Sequence, residues 1–338
     1  MWRVFESDSA NQLWRDIHSA LTSDDLCDVR PSRAGATREI LHAALTLRNP
    51  RDRWVTARQP ALNIAFALAE LIWILAGRND SQFLTYFNRS LSRFAGGGPK
   101  LYGAYGERLR HRFGVDQLEH AFLALQANPH SRQVVLQIWD ACTDLPDAQG
   151  RPRDPDIPCN IQSILKIKDQ RLEWVQIMRS NDVYLGVPHN LIQFTFLQEV
   201  VAGWLGIEPG HYHHISDSLH LYERDAAIVS CSSHDKPLHG DNFSLPKEKS
   251  DKAISILAQA VDQITDEEIP AEAIARLPIE LELPAAYRDI LRVLAAEGVR
   301  RRRQSDAADE VMQSCTSLVF RQMWMNWQAR IKLHKKLP

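Results

Sequence analysis

Cysteine is scarce in this chain, and its few copies do not pair. The five (Cys27, Cys142, Cys159, Cys231, Cys315) are odd in number and have no CxxC or metal-like spacing. That argues against a disulfide framework or a structural zinc and favours a reducing compartment. Long apolar runs are missing as well. PALNIAFALAELIWILAG comes nearest, but Asn63 and Glu70 interrupt it and leave it too polar to span a bilayer. MWRVFESDSANQLWRDI lacks the apolar stretch of a signal peptide, so a cytoplasmic protein with no membrane partner is expected. Net charge is small: 40 Lys+Arg against 42 Asp+Glu leave -2. There is thus no global electrostatic case for nucleic acid, and none is expected as a partner. The glycines of AGGGPKLYG follow no Walker or dinucleotide pattern, and they read as a loop.

What is present is an ordinary globular composition, 44% hydrophobic and 24% charged over 338 residues, enough for a substantial core. Apolar spacing predicts helices over 8–23, 60–77, 81–95, 114–128, 251–265, 285–299 and 308–332, and a long buried helix over LIQFTFLQEVVAGWLG. Strands are predicted at Ile40–Leu45, SRQVVLQIWDA, two runs between Cys159 and Arg179, and YHHISDSLHLY. RRRQSDAADE reads as a charged turn, with Arg300–Arg303 a surface patch. The simplest organisation is one α+β domain over 1–235 with a helical extension over 236–338 packed on it.

Chemistry concentrates between Asp156 and Asn190, DIPCNIQSILKIKDQRLEWVQIMRSNDVYLGVPHN. Cys159 reads as a buried structural thiol, as a protease-type nucleophile, or as a thiolate activated by a cation. The β-like surroundings disfavour the second, and Arg179 would supply the cation if the two strands pair as a hairpin. Glu70, on an apolar helix, either snorkels to the surface or serves as a general acid/base in a cleft. Arg30, Arg33 and Arg38 read as a solvated loop or as a phosphate clamp. HYHHISDSLH carries four histidines, but a strand alternates faces and no carboxylate is suitably spaced, so no metal is expected.

The order IPCN, RSNDVYLGVPHN and HISDSLHLY, with ELIWILAG, LYGAYGERLR and NPHSRQVVLQIWD before them, resembles thymidylate synthase and its nucleotide hydroxymethylase relatives over about residues 25–225. The resemblance implies a large mixed β-sheet packed by helices, with a sheet face forming a homodimer interface. It implies one-carbon transfer from 5,10-methylenetetrahydrofolate to C5 of a pyrimidine nucleoside monophosphate. Cys159 would attack C6 of the base, aided by Arg179. Glu70 and Tyr105 would handle the C5 proton. Arg179 and Ser180 would hold the 5'-phosphate with Arg33, and Arg132 would come from the partner subunit. His220 and Tyr222 would bind the sugar. Asp182, Gly186 and Trp73 would meet the folate, Gly186 also lying near the base. Asn190 would read the base and favours uracil over cytosine.

Departures from that family's pattern bear on the product. Asn160 follows the cysteine where His is usual, Gln133 breaks a tandem arginine, and Ser218 stands where Asp is usual. Leu91 is the nearest counterpart of the tryptophan that shields the intermediate, and KLHKKLP does not resemble the apolar tail that closes the site. A less shielded site admits water, so 5-hydroxymethylation is expected ahead of true thymidylate synthesis. A relative that binds nucleotide or RNA without catalysis is the third reading.

Overall fold

The computed structural model describes residues 2–23, 28–32, 35–232 and 241–334. Arg33, in the loop expected to close over phosphate, and the tail from Lys335 lie outside them. The chain opens with strand β1 (Arg3–Ser7) and helix α1 (Ala10–Thr22), whose N-cap Ser9 accepts from Gln12 N–H. A hairpin of β2 (Asp28–Ser32) and β3 (Gly35–Leu47) follows, then the short β4 (Arg58–Gln59). Helix α2 (Ile64–Leu75) starts at Asn63, which caps it through Phe66 N–H, and Gly77 closes it at φ +67. The helix expected over 81–95 is instead α3 (Ser81–Phe87) and a turn, α4 (Ser92–Ala95). Asn88 breaks it by turning its side-chain oxygen to Ser90 N–H and Oγ–H at 3.2 and 2.7 Å.

The turn α5 (Tyr105–Glu107), α6 (Gln117–Ala127), β5 (Val135–Gln137) and the turn α7 (Ala141–Asp144) lead to the predicted hairpin. It consists of β6 (Asn160–Lys168) and β7 (Arg171–Asp182), joined through Asp169 and Gln170 at φ +50 and +56, the two left-handed residues a tight hairpin needs. Helix α8 (Gly186–Leu205) ends at Gly206 in the left-handed region, and β8 (Glu208–Tyr222) follows. A turn α9 (Glu223–Ala226) and β9 (Ser230–Cys231), paired with β4, finish the first part.

The C-terminal helices are α10 (Lys247–Thr265), α11 (Ala271–Glu280), α12 (Ala285–Arg301), α13 (Ser305–Gln313) and α14 (Leu318–His334). The expected single terminal helix is therefore two, and the expected charged turn is largely helical. The break is made by Asp289, whose buried carboxylate accepts from Thr316 N–H, Thr316 Oγ–H and Ser317 N–H at 2.6–3.0 Å. The arginine run is not a surface patch. Arg300 and Arg301 pair with the buried Glu297, and Arg302 donates to the carbonyls of Ile264 and Ile269.

Among the described residues the sheet has seven strands in the order β1-β3-β8-β7-β6-β5, with β2 on the free half of the β3 edge. It is mixed: β1–β3 and β7–β8 are parallel, the other pairs antiparallel. This is the α+β architecture that the resemblance implied. Helix α8 lies against β7 and β8, α2 against α8, and α10, α12 and α14 against α2. One core thus runs from the sheet into the C-terminal helices, joined by Phe196, Phe243, Tyr287 and Phe320. No described helix is long and apolar enough to cross a membrane.

Candidate active site

The site forms where β6 begins, β7 ends and α8 starts. Cys159, half-buried, directly precedes β6, and its carbonyl accepts from Arg179 N–H at 3.0 Å. A bulge between Asn160 and Gln162 bends the strand here, so that Ile161 C=O takes both Ile138 and Trp139 N–H. The Arg179 guanidinium donates to Pro158 and Ile157 carbonyls at 3.0 and 3.1 Å and lies over the Trp139 ring. The cation is thus tied to the backbone that carries the thiol.

Tyr105 is packed into the same place. Burial pushes its phenol far above the ordinary range, Cys159 adds to this, a side-chain hydrogen bond with Asn160 opposes it, and Asp156 and Glu70 contribute further. Cys159, Tyr105 and Glu70, far apart in sequence, therefore share one electrostatic neighbourhood. Glu70 Oε2 lies 3.0 Å from His189 Nδ1, so the cleft reading of Glu70 fits better than snorkelling. Asp156 and His189 were not singled out from sequence. Asp156 accepts from Gly103 N–H at 2.8 Å, and burial raises its carboxyl to about 6. A Cβ on Gly103 would come within 2.6 Å of the Asp156 carbonyl, so the approach requires glycine.

Beneath the thiol runs a buried chain of polar side chains. Trp174 N–H and Ser163 O–H both donate to Gln176 Oε1 at 3.2 and 2.6 Å, and Gln176 Nε2 donates to Asn160 Oδ1 at 2.8 Å. Asn160 Nδ2 faces Asn190 Oδ1 at 3.5 Å, and Asn190 Nδ2 donates to Asn181 Oδ1 at 3.1 Å. Asn181 Nδ2 in turn meets His214 Nε2 at 3.0 Å and Ser216 Oγ at 3.2 Å. An indole nitrogen can only donate, so Trp174 fixes Gln176, and each amide fixes the next. Asn190 consequently has one amide orientation. Burial pushes His214 down to about 3, and its neutral ring can accept from Asn181.

Along the ends of β7 and β8, Ser180 stands opposite Ser218 and Asp182 opposite His220. Asp182 Oδ1 accepts from Tyr184 and Leu185 N–H at 2.6 and 3.1 Å, which turns the chain into α8. Burial raises its carboxyl against those bonds and the nearby His220. Among the described residues Asp182 Oδ2 makes no hydrogen bond. Gly186 opens α8 so close to Asn181 that a Cβ would lie 2.7 Å from its Oδ1. Ser218 Oγ donates to Glu39 on β3 and sits 3.5 Å from His220 Nδ1, and Tyr222 packs edge-on against His220. A carboxylate that Ser218 does not carry is thus supplied from the next strand.

Two expected site residues stand apart. Trp73 is 4% exposed, with its indole N–H given to Asp80 C=O at 3.0 Å. It serves the core, because the helix face it occupies is covered, and the expected folate contact is not made available by this packing. Arg132 is exposed before edge strand β5. Val135 pairs with Ile164, five residues past Cys159, so Arg132 lies more than about 16 Å along the strand from its own thiol. Leu91 lines a separate cavity of about 1090 Å³ with Arg78, Tyr86, Arg89, Asp262 and Arg302. None of the residues around Cys159 borders it.

Comparison with known proteins bears on this geometry. The family model described as thymidylate synthase matches residues 30–268. The deoxyuridylate hydroxymethyltransferase of Bacillus phage SP01 is 33% identical over 66% of this chain and 59% of its own length. That of Pseudomonas phage M6 is 38% identical over 52% of this chain and 49% of its own. Thymidylate synthase 1/2 of Encephalitozoon cuniculi is 36% identical over 32% of this chain and 35% of its own. The chain therefore spans about half the length of the curated relatives it matches.

Proposed function

This chain belongs to the thymidylate synthase family, and from that premise we propose that it transfers a one-carbon unit to C5 of a uracil nucleoside 5'-monophosphate, deoxyuridylate first, leaving a 5-hydroxymethyl group. The single observation that carries the reading is the convergence of Cys159, Arg179, Tyr105, Glu70 and the oriented Asn190 on one end of the sheet.

In this reading the Cys159 thiolate adds to C6 of the base, and C5 becomes the carbon nucleophile that forms the new C–C bond. 5,10-Methylenetetrahydrofolate supplies the one-carbon unit when bound. The C5 proton leaves to a relay of Tyr105, Glu70 and His189. Once the C5 proton and the tetrahydrofolate amine have both left, water adds to the exocyclic methylene that remains on the base, and expulsion of the Cys159 thiolate restores the ring double bond. Asn190 reads the O4/N3 edge. Its locked orientation supports one base over the other, because cytosine needs the flipped amide. Ser180 and Arg179 hold the phosphate, and His220 and Tyr222 the sugar. Asp182, half-buried just before α8 with its Oδ2 unengaged among the described residues, fits a hydrogen-bonding pterin edge with Gly186 beside it.

A sheet-to-sheet homodimer completes the site. The face away from α8 carries the cross-strand row Ile177, Ile215, Ala44 and Val4, with Val4 66% and Val135 45% exposed. Such a continuous apolar surface favours association. Arg132, too far from its own Cys159, is then available to the partner's phosphate.

Incubation with methylenetetrahydrofolate and dUMP, UMP, dCMP or CMP tests the reading. Mass spectrometry should find 5-hydroxymethyl product from dUMP with tetrahydrofolate released. Only 5-methyl product with dihydrofolate would establish the synthase reading instead, and no tritium release from C5 of any of the four would leave a binding protein.

A further inference from the structure

At the opposite end of β7 and β8 from Cys159 lies a second cluster that the one-carbon chemistry does not use. Glu173 of β7 and His211 and His213 of β8 turn one ligand atom each toward a common point, all within 4.8 Å of one another. A bulge makes this arrangement. Leu172 pairs with Pro209 but Trp174 with Tyr212, so Glu173 stands opposite two residues, Gly210 and His211. Gly210 has no side chain to obstruct it; a Cβ there would come within 2.3 Å of Glu173 Oε1.

Two of the three side chains are held from behind. Glu173 Oε1 accepts from His211 N–H at 3.2 Å, leaving Oε2 for the rings. His213 Nδ1 bonds Thr46 Oγ1 at 3.1 Å, which leaves Nε2 inward. Such outer bonds are how metal-ligating imidazoles are fixed. The inward distances are 3.6 Å from Oε2 to His213 Nε2 and 3.9 Å to His211 Nδ1. Both are too long for good hydrogen bonds. They are near the about 3.4 Å that separates two ligands held at roughly 2.0–2.1 Å from one tetrahedral zinc. Lys166 stands opposite Glu173 on β6, yet among the described residues it makes no ion pair with it.

We infer that Glu173, His211 and His213, which stand at one end of the sheet face proposed for the homodimer, bind a divalent transition-metal ion of the zinc class, the remaining coordination being left to solvent or to the partner subunit. The donor set, two imidazoles and one carboxylate, is one that zinc accepts with a position left open. The site pins the start of β7 to the start of β8 and is independent of the reading of Cys159.

Titrating metal-free protein with Zn²⁺ alone should reveal one site per chain with a micromolar Kd. His211→Ala, His213→Ala and Glu173→Gln should each weaken it at least tenfold, and Thr46→Val up to about tenfold. Glu173→Gln keeps the acceptor for His211 N–H, and thermal melts of all variants in EDTA should match the parent, separating lost ligands from lost fold. Co²⁺ should give visible d–d absorption without a thiolate charge-transfer band. An affinity unchanged by the histidine variants, a thiolate band, or no Zn²⁺ binding at submillimolar concentration would overturn the assignment.

Discussion

The two faces of β8 hold their histidines in different media. On the inner face His214 is 1% exposed, and burial holds it down to about 3, so it stays neutral and serves as one link in a chain of amides. On the outer face the side chains of His211 and His213 are 54% and 37% exposed beside Glu173. The same residue type, one position apart, is a fixed acceptor on one side and a solvent-reachable ligand on the other. Alternation of side chains along a strand is the cause. The lesson is that the fully buried polar groups of the inner face, such as Gln176, Asn181 and His214, are satisfied by one another, while the side chains of the outer face stay open to a partner.

Breaking the inner side where it meets the cleft should have the largest effect. Cys159→Ala should lower tritium release from C5 of dUMP by about 10⁴-fold or more, with an unaltered thermal melt. Deeper on the same side, Glu199 of α8 is fully buried between Arg53 and Arg51 and also accepts from Phe243 N–H. Glu199→Ala leaves buried charge unpaired and should cost about 3–5 kcal/mol in urea denaturation. Asn181→Ala removes the partner of both Asn190 and His214, and should cost about 1–3 kcal/mol. It should also narrow the dUMP-to-dCMP ratio of kcat/KM, because the Asn190 amide would then be free to flip.

The inner face also imposes a pH dependence on stability. Below its ordinary value of 6.5 the unfolded chain protonates His214 while the folded chain does not until about 3. Stability should therefore fall with acid across that window, by at most about 1.4 kcal/mol per pH unit. Asp156 opposes this. Its folded carboxyl gains a proton below about 6, whereas the unfolded one waits for 3.8. Denaturant melts between pH 7 and 4 should show His214→Gln flattening the acid loss and Asp156→Asn steepening it. The outer face should respond least. Without metal, His211→Ala should move stability by under about 0.5 kcal/mol, and Val4→Glu should shift sedimentation from dimer to monomer while leaving the melt nearly unchanged.

Much of the site was legible before any coordinates. The helix ending at Gly206 and the two strand runs between Cys159 and Arg179, which bring those residues together when paired as a hairpin, follow from local spacing. Asp156, His189 and Asn181 were missed because each acts through a partner distant in sequence: Tyr105, Glu70 and His214. The arginine run misled for the same reason. Its charge pattern suits a solvated surface, but Glu297, itself buried, draws Arg300 and Arg301 inward. The terminal helix was expected whole because nothing in its own residues announces that Asp289 captures Thr316 and Ser317.

By itself, then, the sequence determined most of the helices and strands and the ordered motifs that place the chain in its family. Those are properties of short-range periodicity and of motifs read in order. Only the tertiary structure decided which way the Asn190 amide faces, how Glu39 supplies the carboxylate beside Ser218, and that a bulge delivers Glu173 to two histidines on the neighbouring strand. Each depends on register between strands, and register is set by packing of the whole sheet.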